Sequence, residues 1–338
     1  MIVVKANGYG HGSLNIAKHL SDEPGITFCV FTIQEGIDLR REGINNPILI
    51  FSRIHKDWIA LAIKYKLWVN ACHQDDLIIL DQFHKENGNC PEIHLKFDTG
   101  MTRLGFDPKE TQKVIKYLSD HTYLPVNGIY SHFATADEGD LSYADSQLKK
   151  FNRILDICKD SGKQFGFIHC SNSGAVLNLP DSLFNTVRIG MLAYGIAPSD
   201  EVTMNIDVEP VMSFCGPIVN IRRVEAGTQI SYGGVYRTTR STNIGVIQTG
   251  FADGFPRPWY ENGYISYKGD PYNIAGRVCM DQFMVDFGDA VPELGDEVLI
   301  FGKKDEDHIP VETIAKSIGT TTYVLLTAIQ GRTDLVTI

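Results

Sequence analysis

The 338-residue sequence predicts a (β/α)8 barrel of the TIM type over residues 1–205, followed by a mainly β domain over residues 206–338. Two observations carry this. Across the first 190 residues, eight short β-branched runs alternate with amphipathic segments, and eight is the number that closes such a barrel. After about Ala197 the runs are punctuated instead by Gly, Pro and Asp. A doubly wound open sheet is the alternative for the first part.

The strand runs are Ile2–Val4, Ile26–Thr32, Pro47–Phe51, Leu67–Ala71, Ile93–Phe97, Val126–Tyr130, Gly166–His169 and Thr186–Ile189. Between them lie segments such as Ser13–Leu20, Asp57–Tyr65, Asp107–Leu118 and Tyr143–Cys158. In the last of these, Leu148, Phe151, Ile154, Leu155 and Cys158 recur at helical spacing. Asp107 before Pro108, with Glu110 soon after, reads as a helix start. The second domain offers strands at Val211–Arg222, Asn243–Thr249, Asn273–Ala275, Gln282–Asp286 and Glu297–Phe301, with a helix near Val311–Ile318. Because the first strand begins at residue 2, either the eighth helix is very short or an upstream segment is missing.

Composition narrows the function. Apolar residues make up 43% and charged residues 21%, which excludes disordered and collagen-like chains. The net charge of −10 argues against a nucleic-acid or anionic-membrane surface. No run approaches the ~18 apolar residues of a spanning helix, and Met1–Gly10 lacks the apolar core of a signal peptide. The seven cysteines form no CxxC pair and no histidine stands at zinc spacing, so reduced thiols and no metal are expected. The expectation is a soluble cytoplasmic protein.

In this barrel class, chemistry sits at the carboxyl ends of the strands. Those ends carry Lys5, then Lys96 with Arg103, then His132, then His169 with Ser173, then Arg188 with Gly190. A lysine at an apolar barrel mouth is partly desolvated, which favours the free amine, a nucleophile toward a carbonyl cofactor; a lysine snorkelling from a strand end is the bland alternative. The run Gly8–Gly12 fails as a dinucleotide loop, since its third glycine is misplaced and no acidic residue follows at the required distance. Ser173 with the backbone N–H groups of Gly190 and Met191 suits a phosphate, although Ser173 also reads as a helix N-cap. Tyr232, on the Gly-flanked turn Ser231-Tyr232-Gly233-Gly234, reads first as a packing residue.

Several blocks stand out along the chain: Val3-Val4-Lys5-Ala6-Asn7-Gly8-Tyr9-Gly10-His11-Gly12, Lys96-Phe97-Asp98-Thr99-Gly100-Met101-Thr102-Arg103-Leu104-Gly105, Ser131-His132-Phe133-Ala134-Thr135-Ala136-Asp137 and His169-Cys170-Ser171-Asn172-Ser173. They continue through Val187-Arg188-Ile189-Gly190, Ser231-Tyr232-Gly233, Gly250-Phe251-Ala252-Asp253-Gly254 and Gly276-Arg277-Val278-Cys279-Met280-Asp281. Taken together these blocks resemble those of bacterial alanine racemases, and they run in family order across nearly the whole chain.

The resemblance implies a homodimer that racemises alanine with pyridoxal 5'-phosphate and supplies D-alanine for peptidoglycan. Lys5 would attach the cofactor and act as base on one face of the substrate α-carbon. Tyr232, from the other subunit, would act on the opposite face. A free tyrosine ionises near ~10, so such a base needs help; the resemblance gives that role to His169, in a chain running to Arg188. Arg188 would face the pyridine nitrogen and, able only to donate, leave it unprotonated. An unprotonated ring is a poorer electron sink, which limits transamination.

Tyr9, Ser173, Gly190, Met191 and Tyr323 would contact the phosphate, and His132 would lie beside the ring. Arg103 and Met280 would meet the substrate carboxylate, with Arg103 also at the phenolic oxygen. Lys96 matches a family lysine that is often carbamylated. Arg277 and Asp281 would line the access corridor, where Phe251 replaces the usual tyrosine. The family also carries a strand and a helix before the lysine strand. Two other readings remain open: a racemase of wider amino-acid range, and a barrel that binds the cofactor without turnover.

Overall fold

The β-branched runs of the first 190 residues become parallel strands in the computed structural model, which describes residues 1–337. The chain divides into two units, Met1–Gly8 with Gly12–Val208, and Tyr9–His11 with Glu209–Ile338. In the first, β1 (Ile2–Val3), β2 (Phe28–Val30), β3 (Ile48–Arg53), β4 (Trp68–Ala71), β5 (Ile93–Lys96), β6 (Val126–Tyr130) and β7 (Phe167–His169) lie side by side in sequence order, all parallel. Phe28, Cys29, Val30, Ile48, Leu49, Ile93 and Leu95 are fully buried, as expected of strands covered on both faces.

The eighth run, Thr186–Ile189, does not become a full strand. Thr186 bridges His169 on one side and Ile189 bridges Ile2 on the other. Bonds from Val3 N–H to the Ile189 carbonyl (2.8 Å) and from Ile189 N–H to the Met1 carbonyl (2.9 Å) complete the seam. The segment is too short to run a ladder along both neighbours, so it closes the (β/α)8 barrel by its two ends. A single 3-10 turn, Met191–Tyr194, follows where an eighth helix would stand.

Helices α1 (Ser13–Leu20), α2 (Ile33–Arg41), α3 (Ile59–Lys64), α4 (Gln74–Asn87), α5 (Thr111–Asp120), α6 (Ser142–Asp160) and α7 (Ser173–Asn178) complete the unit. The start read at Asp107 is a reciprocal capping box with Glu110, opening a 3-10 turn that runs into α5. In α6 the periodic residues Leu148, Phe151, Ile154 and Cys158 are buried; Leu155 is only half-buried. Each such side chain contributes roughly 1.5–3 kcal/mol of burial. Among the described residues no helix is long and apolar enough to cross a membrane.

In the second unit, β8 (Phe214–Val224), β11 (Thr242–Ile247), β12 (Tyr264–Tyr267), β13 (Asp270–Ile274), β14 (Phe283–Gly288), β15 (Glu297–Lys304) and β16 (Asp307–Ile309) form an antiparallel sheet ordered β12-β13-β14-β11-β8-β15-β16. It returns on itself through Ser266 and Leu299 of β12 and β15. A separate ribbon pairs β9 (Gln229–Ile230) with β10 (Tyr236–Arg237). Helices α8 (Val311–Ser317) and α9 (Thr322–Thr327) follow. The strand reading missed β12, although the hairpin to β13 has a turn whose central residues, Lys268 and Gly269, both have positive φ (53° and 83°).

Register across the barrel lines up the polar residues of neighbouring strands. His94 faces Gly128, while Lys96 faces Tyr130, which faces His169. A Cβ on residue 128 would lie 2.1 Å from His94 Nδ1, so β6 must carry glycine there. Gly128→Ala is expected to destabilise the protein by about 1–3 kcal/mol through overpacking, read as a lower thermal unfolding midpoint.

Candidate active site

Lys5 stands at the end of β1, followed by a left-handed turn. Ala6 (φ 52°, ψ 49°), Asn7 (54°, 44°) and Gly8 (63°, 41°) are all left-handed, as is Tyr9 (φ 53°). Each L-residue so placed costs roughly 1–2 kcal/mol. The turn is held by Gly8 N–H on the Val4 carbonyl (2.8 Å), Gly12 N–H on the Asn7 carbonyl (2.8 Å) and Ser13 N–H on Asn7 Oδ1 (3.1 Å). Ala6 N–H donates to Glu35 Oε1 at 2.7 Å. Glu35 also closes the capping box of α2 with Thr32, which ties the lysine turn to a helix start. Strain that the surroundings over-determine in this way is a mark of functional segments.

The strand ends gather positive charge. Burial pushes the Lys5 amine below its ordinary range and Arg103 adds to the shift, against a smaller opposing effect of Glu35. Lys96 is pushed down to about 8, first by burial and then by Arg103 and Arg188. His132 is held well below the usual imidazole range by burial, with Arg188, Arg103, Lys96 and Lys5 all contributing. Asp98 is already engaged by the N–H groups of Gly100, Thr102 and Arg103 at 2.9, 3.0 and 2.7 Å, which fixes the loop carrying Arg103. Four cations around one neutral imidazole call for an anionic ligand.

Arg188 is the most deeply held of them, at 4% exposure. Its Nη1 lies 2.8 Å from His169 Nδ1 and 3.1 Å from the His169 carbonyl. Its Nη2 meets the carbonyls of Ser131 (2.7 Å) and Cys170 (3.0 Å) and His132 Nδ1 (3.2 Å). Both terminal nitrogens are thus engaged, and Nε–H is left without an acceptor among the described residues. The other nitrogen of His169, Nε2, lies 3.0 Å from His94 Nδ1. The predicted chain from His169 to Arg188 is therefore present. The bond expected from His169 to Tyr232 is not available, because both ring nitrogens of His169 are taken inside the barrel. His132, with only Nδ1 engaged by Arg188, is the imidazole with a nitrogen to offer. Tyr130 stacks on His169 at 4.7 Å, beneath the Arg188 guanidinium at 5.2 Å and the Lys96 ammonium at 5.6 Å.

The Ser173 hydroxyl accepts from Gly190 N–H (3.1 Å) and Leu192 N–H (3.4 Å). The N-cap of α7 is Asn172, whose Oδ1 accepts from Ala175 N–H, so Ser173 is free of that duty. Met191 N–H opens the following 3-10 turn, where no acceptor exists within the turn. This cluster of N–H and O–H groups suits a phosphate.

The second unit assembles the remaining candidates. The Tyr9 and Tyr323 rings meet edge to face at 5.7 Å. Ser231 Oγ donates to the Arg277 carbonyl at 2.6 Å, which fastens the turn bearing Tyr232, itself 70% exposed, to the segment at residues 276–282. Phe251 N–H and Ala252 N–H donate to the Cys279 and Met280 carbonyls (3.1 and 3.0 Å) on the same segment. Arg332 joins Asp253 and Asp281 at 2.6 Å each. Tyr232, Phe251, Arg277, Met280 and Asp281 are thereby brought together within this unit.

The residue types and their order match one family over both units: the alanine racemase N-terminal domain over residues 1–198 and its C-terminal domain over residues 211–337. The chain belongs to the alanine racemase family. The alanine racemase of Desulforamulus reducens is 37% identical over 335 residues, 98% of this chain and 90% of that protein. That of Methanococcus maripaludis is 33% identical over 98% of this chain and 90% of its own length. Among solved structures, the Clostridium difficile 630 alanine racemase superposes with a TM-score of 0.91 at 35% identity, covering 97% of this chain and 86% of that one. The Bartonella henselae alanine racemase, solved with covalently bound pyridoxal phosphate, gives 0.87 at 26% identity over 98% and 90%. The chain is accordingly an amino-acid isomerase acting on alanine.

Sequence reasoning missed His94, Tyr130, Glu35 and Asn172. The alternation of His94 and Lys96 on one strand face was the available signal for the first. For Lys96, the folded state disfavours the charged amine, so the unfolded chain binds more protons between pH 8 and 10.5. Stability from this residue therefore rises with pH across that window. Lys96→Met is expected to flatten the rise and to stabilise the protein near neutrality by on the order of 2 kcal/mol, measured by urea unfolding in CO2-free buffers.

Proposed function

We propose that the chain racemises alanine by a two-base mechanism dependent on pyridoxal 5'-phosphate, as a homodimer, with Lys5 and the partner subunit's Tyr232 as the opposed bases. The barrel, residues 1–205, would bind the cofactor, and the domain over residues 206–338 would present the tyrosine. The observation that carries this reading is the donor set of the first unit: a desolvated lysine, a buried arginine with one unused N–H, and a hydroxyl flanked by backbone N–H groups. Those groups fit an aldehyde, a pyridine nitrogen and a phosphate. When bound, the cofactor supplies the electron-withdrawing ring that acidifies the substrate α-proton.

Each residue then has a defined task. Lys5, kept toward its neutral form by burial, attaches the cofactor and holds or returns a proton on one face. Ser173, Gly190 and Met191 hold the phosphate, with Tyr9 and Tyr323. Arg188 offers Nε–H and, being unable to lose a proton, leaves the ring nitrogen unprotonated. That restrains side reactions of the transamination type. His132 takes over the task first given to His169. Arg188 donates to its Nδ1, so its hydrogen resides on Nε2, as a donor for a tyrosine oxygen. A donor there favours the phenolate, so more of the tyrosine stands in its base form near neutrality. Arg103 and the Met280 backbone receive the substrate carboxylate.

Lys96, with its amine pushed down to about 8, has the neutral fraction that adds to CO2, forming an N–C bond and releasing one proton. The carbamate would place an anion beside Arg103. Arg277, Asp281 and Phe251 would line the access corridor. The product, D-alanine, would serve peptidoglycan synthesis in the cytoplasm.

The deciding experiment follows the α-proton of L-alanine by NMR in D2O, alongside optical rotation, with added pyridoxal phosphate. Exchange with loss of rotation is expected, and cofactor binding without exchange would refute the reading. Tyr232→Phe is expected to slow exchange from L-alanine by about 10²–10⁴-fold; an unchanged rate would refute the two-base assignment. In 13C-bicarbonate, a carbamate carbon signal is expected that disappears in Lys96→Met.

A further inference from the structure

His94 and His169 are both fully buried, and His94 has no place in the steps above. Their hydrogens can be assigned from one fixed point. A guanidinium offers donors only, so His169 Nδ1, at 2.8 Å from Arg188 Nη1, must accept. The single hydrogen of a neutral imidazole is then on His169 Nε2, facing His94 Nδ1 at 3.0 Å. His94 Nδ1 must accept as well, which puts the His94 hydrogen on Nε2. The opposite direction would strip both hydrogens from His169 and leave an anion in the barrel core.

The arrangement is costly to keep. His94 Nε2 is shut from solvent with no partner among the described residues, and an unmet buried donor destabilises the fold. Strand β6 also gives up a side chain at Gly128 to admit the ring. His94 stacks on Trp68 at 5.1 Å and tilts against Phe167 at 5.6 Å, a slot that a phenylalanine would fill without burying a polar hydrogen. Burial, reinforced by Arg188, holds the His94 imidazole down at about 3, in keeping with a neutral acceptor. What the histidine offers beyond packing is its Nδ1 lone pair.

We propose that His94 is a positioning residue whose Nδ1 fixes the Nε2–H tautomer of His169 and thereby holds Arg188 with its Nε–H free for the cofactor's ring nitrogen. The last link rests on the reading of Arg188 given above. Without an acceptor at position 94, the Nε2–H of His169 is buried and unmet, a cost that opposes the bond to Arg188 and gives His169 access to the Nδ1–H tautomer. That hydrogen would face Arg188 Nη1 donor to donor and displace the guanidinium.

The test uses the full-length protein with 15N-labelled histidine. The ring-nitrogen signals of His169 are read without cofactor in wild type, His94→Asn and His94→Leu. Asparagine keeps an acceptor close to the place of Nδ1; leucine does not. Wild type and His94→Asn are expected to hold His169 as Nε2–H, and His94→Leu to shift it to Nδ1–H. In the loaded enzyme, His94→Leu should lower kcat by about tenfold with KM little changed, the scale on which partners of a ligating histidine act. Transamination per racemisation turnover should rise by a similar factor, and His94→Asn should restore both. If His94→Leu does not fold, His94→Phe, which keeps the stack on Trp68, replaces it. An unchanged His169 tautomer in the apolar variant overturns the proposal. A switched tautomer with an unchanged transamination ratio overturns instead the reading of Arg188, and with it the proposal's last link.

Discussion

A charge that cannot be neutralised, closed inside a barrel, organises this active site. Arg188 must be surrounded by acceptors, and the chain supplies three carbonyls and two imidazole nitrogens. Because a guanidinium never accepts, each imidazole nitrogen held against it must be the acceptor. The ends of β5, β6 and β7 and the closing segment Thr186–Ile189 all contribute to that arrangement. Burial first, and this charge after it, lowers the proton affinity of His132 and His169; for Lys96 burial and Arg103 come before it.

The barrel makes such a centre tolerable. Burying an arginine without partners would be prohibitive, yet strand carbonyls at the carboxyl ends of a parallel sheet are rigid and converge. Apolar residues of the strands and helices form one contiguous core around them. Tyr130, lying flat on His169 beneath two cations, lines the charge with an aromatic face rather than water.

The fold was legible because β-branched runs and helical periods agree over the barrel, where both are tied to burial on both faces of each strand. The eighth run was legible as a strand in composition but not in extent, since pairing at its ends depends on the two neighbours and not on Val187 or Ile189 alone. The strand Tyr264–Tyr267 was lost because tyrosines beside Lys268-Gly269 and Asp270 resemble a loop, and its burial comes from sheet partners distant in sequence. At the site, the charged residues at strand ends announced themselves by type. The partnership of His169 did not: nothing in its motif says that one nitrogen is claimed by a histidine 75 positions away. Hydrogen-bond direction is a property of neighbours in space.

The segment after Lys5 invites a different view of what a signature is. Only the lysine in Lys5-Ala6-Asn7-Gly8-Tyr9 carries a reactive amine. The next four residues all sit on the left-handed side of backbone space, where branching at Cβ is disfavoured and glycine and asparagine are most at home. Much of that string therefore records chirality rather than reactivity. A random library over positions 6–8, selected for folding alone and blind to turnover, would drift toward glycine and asparagine.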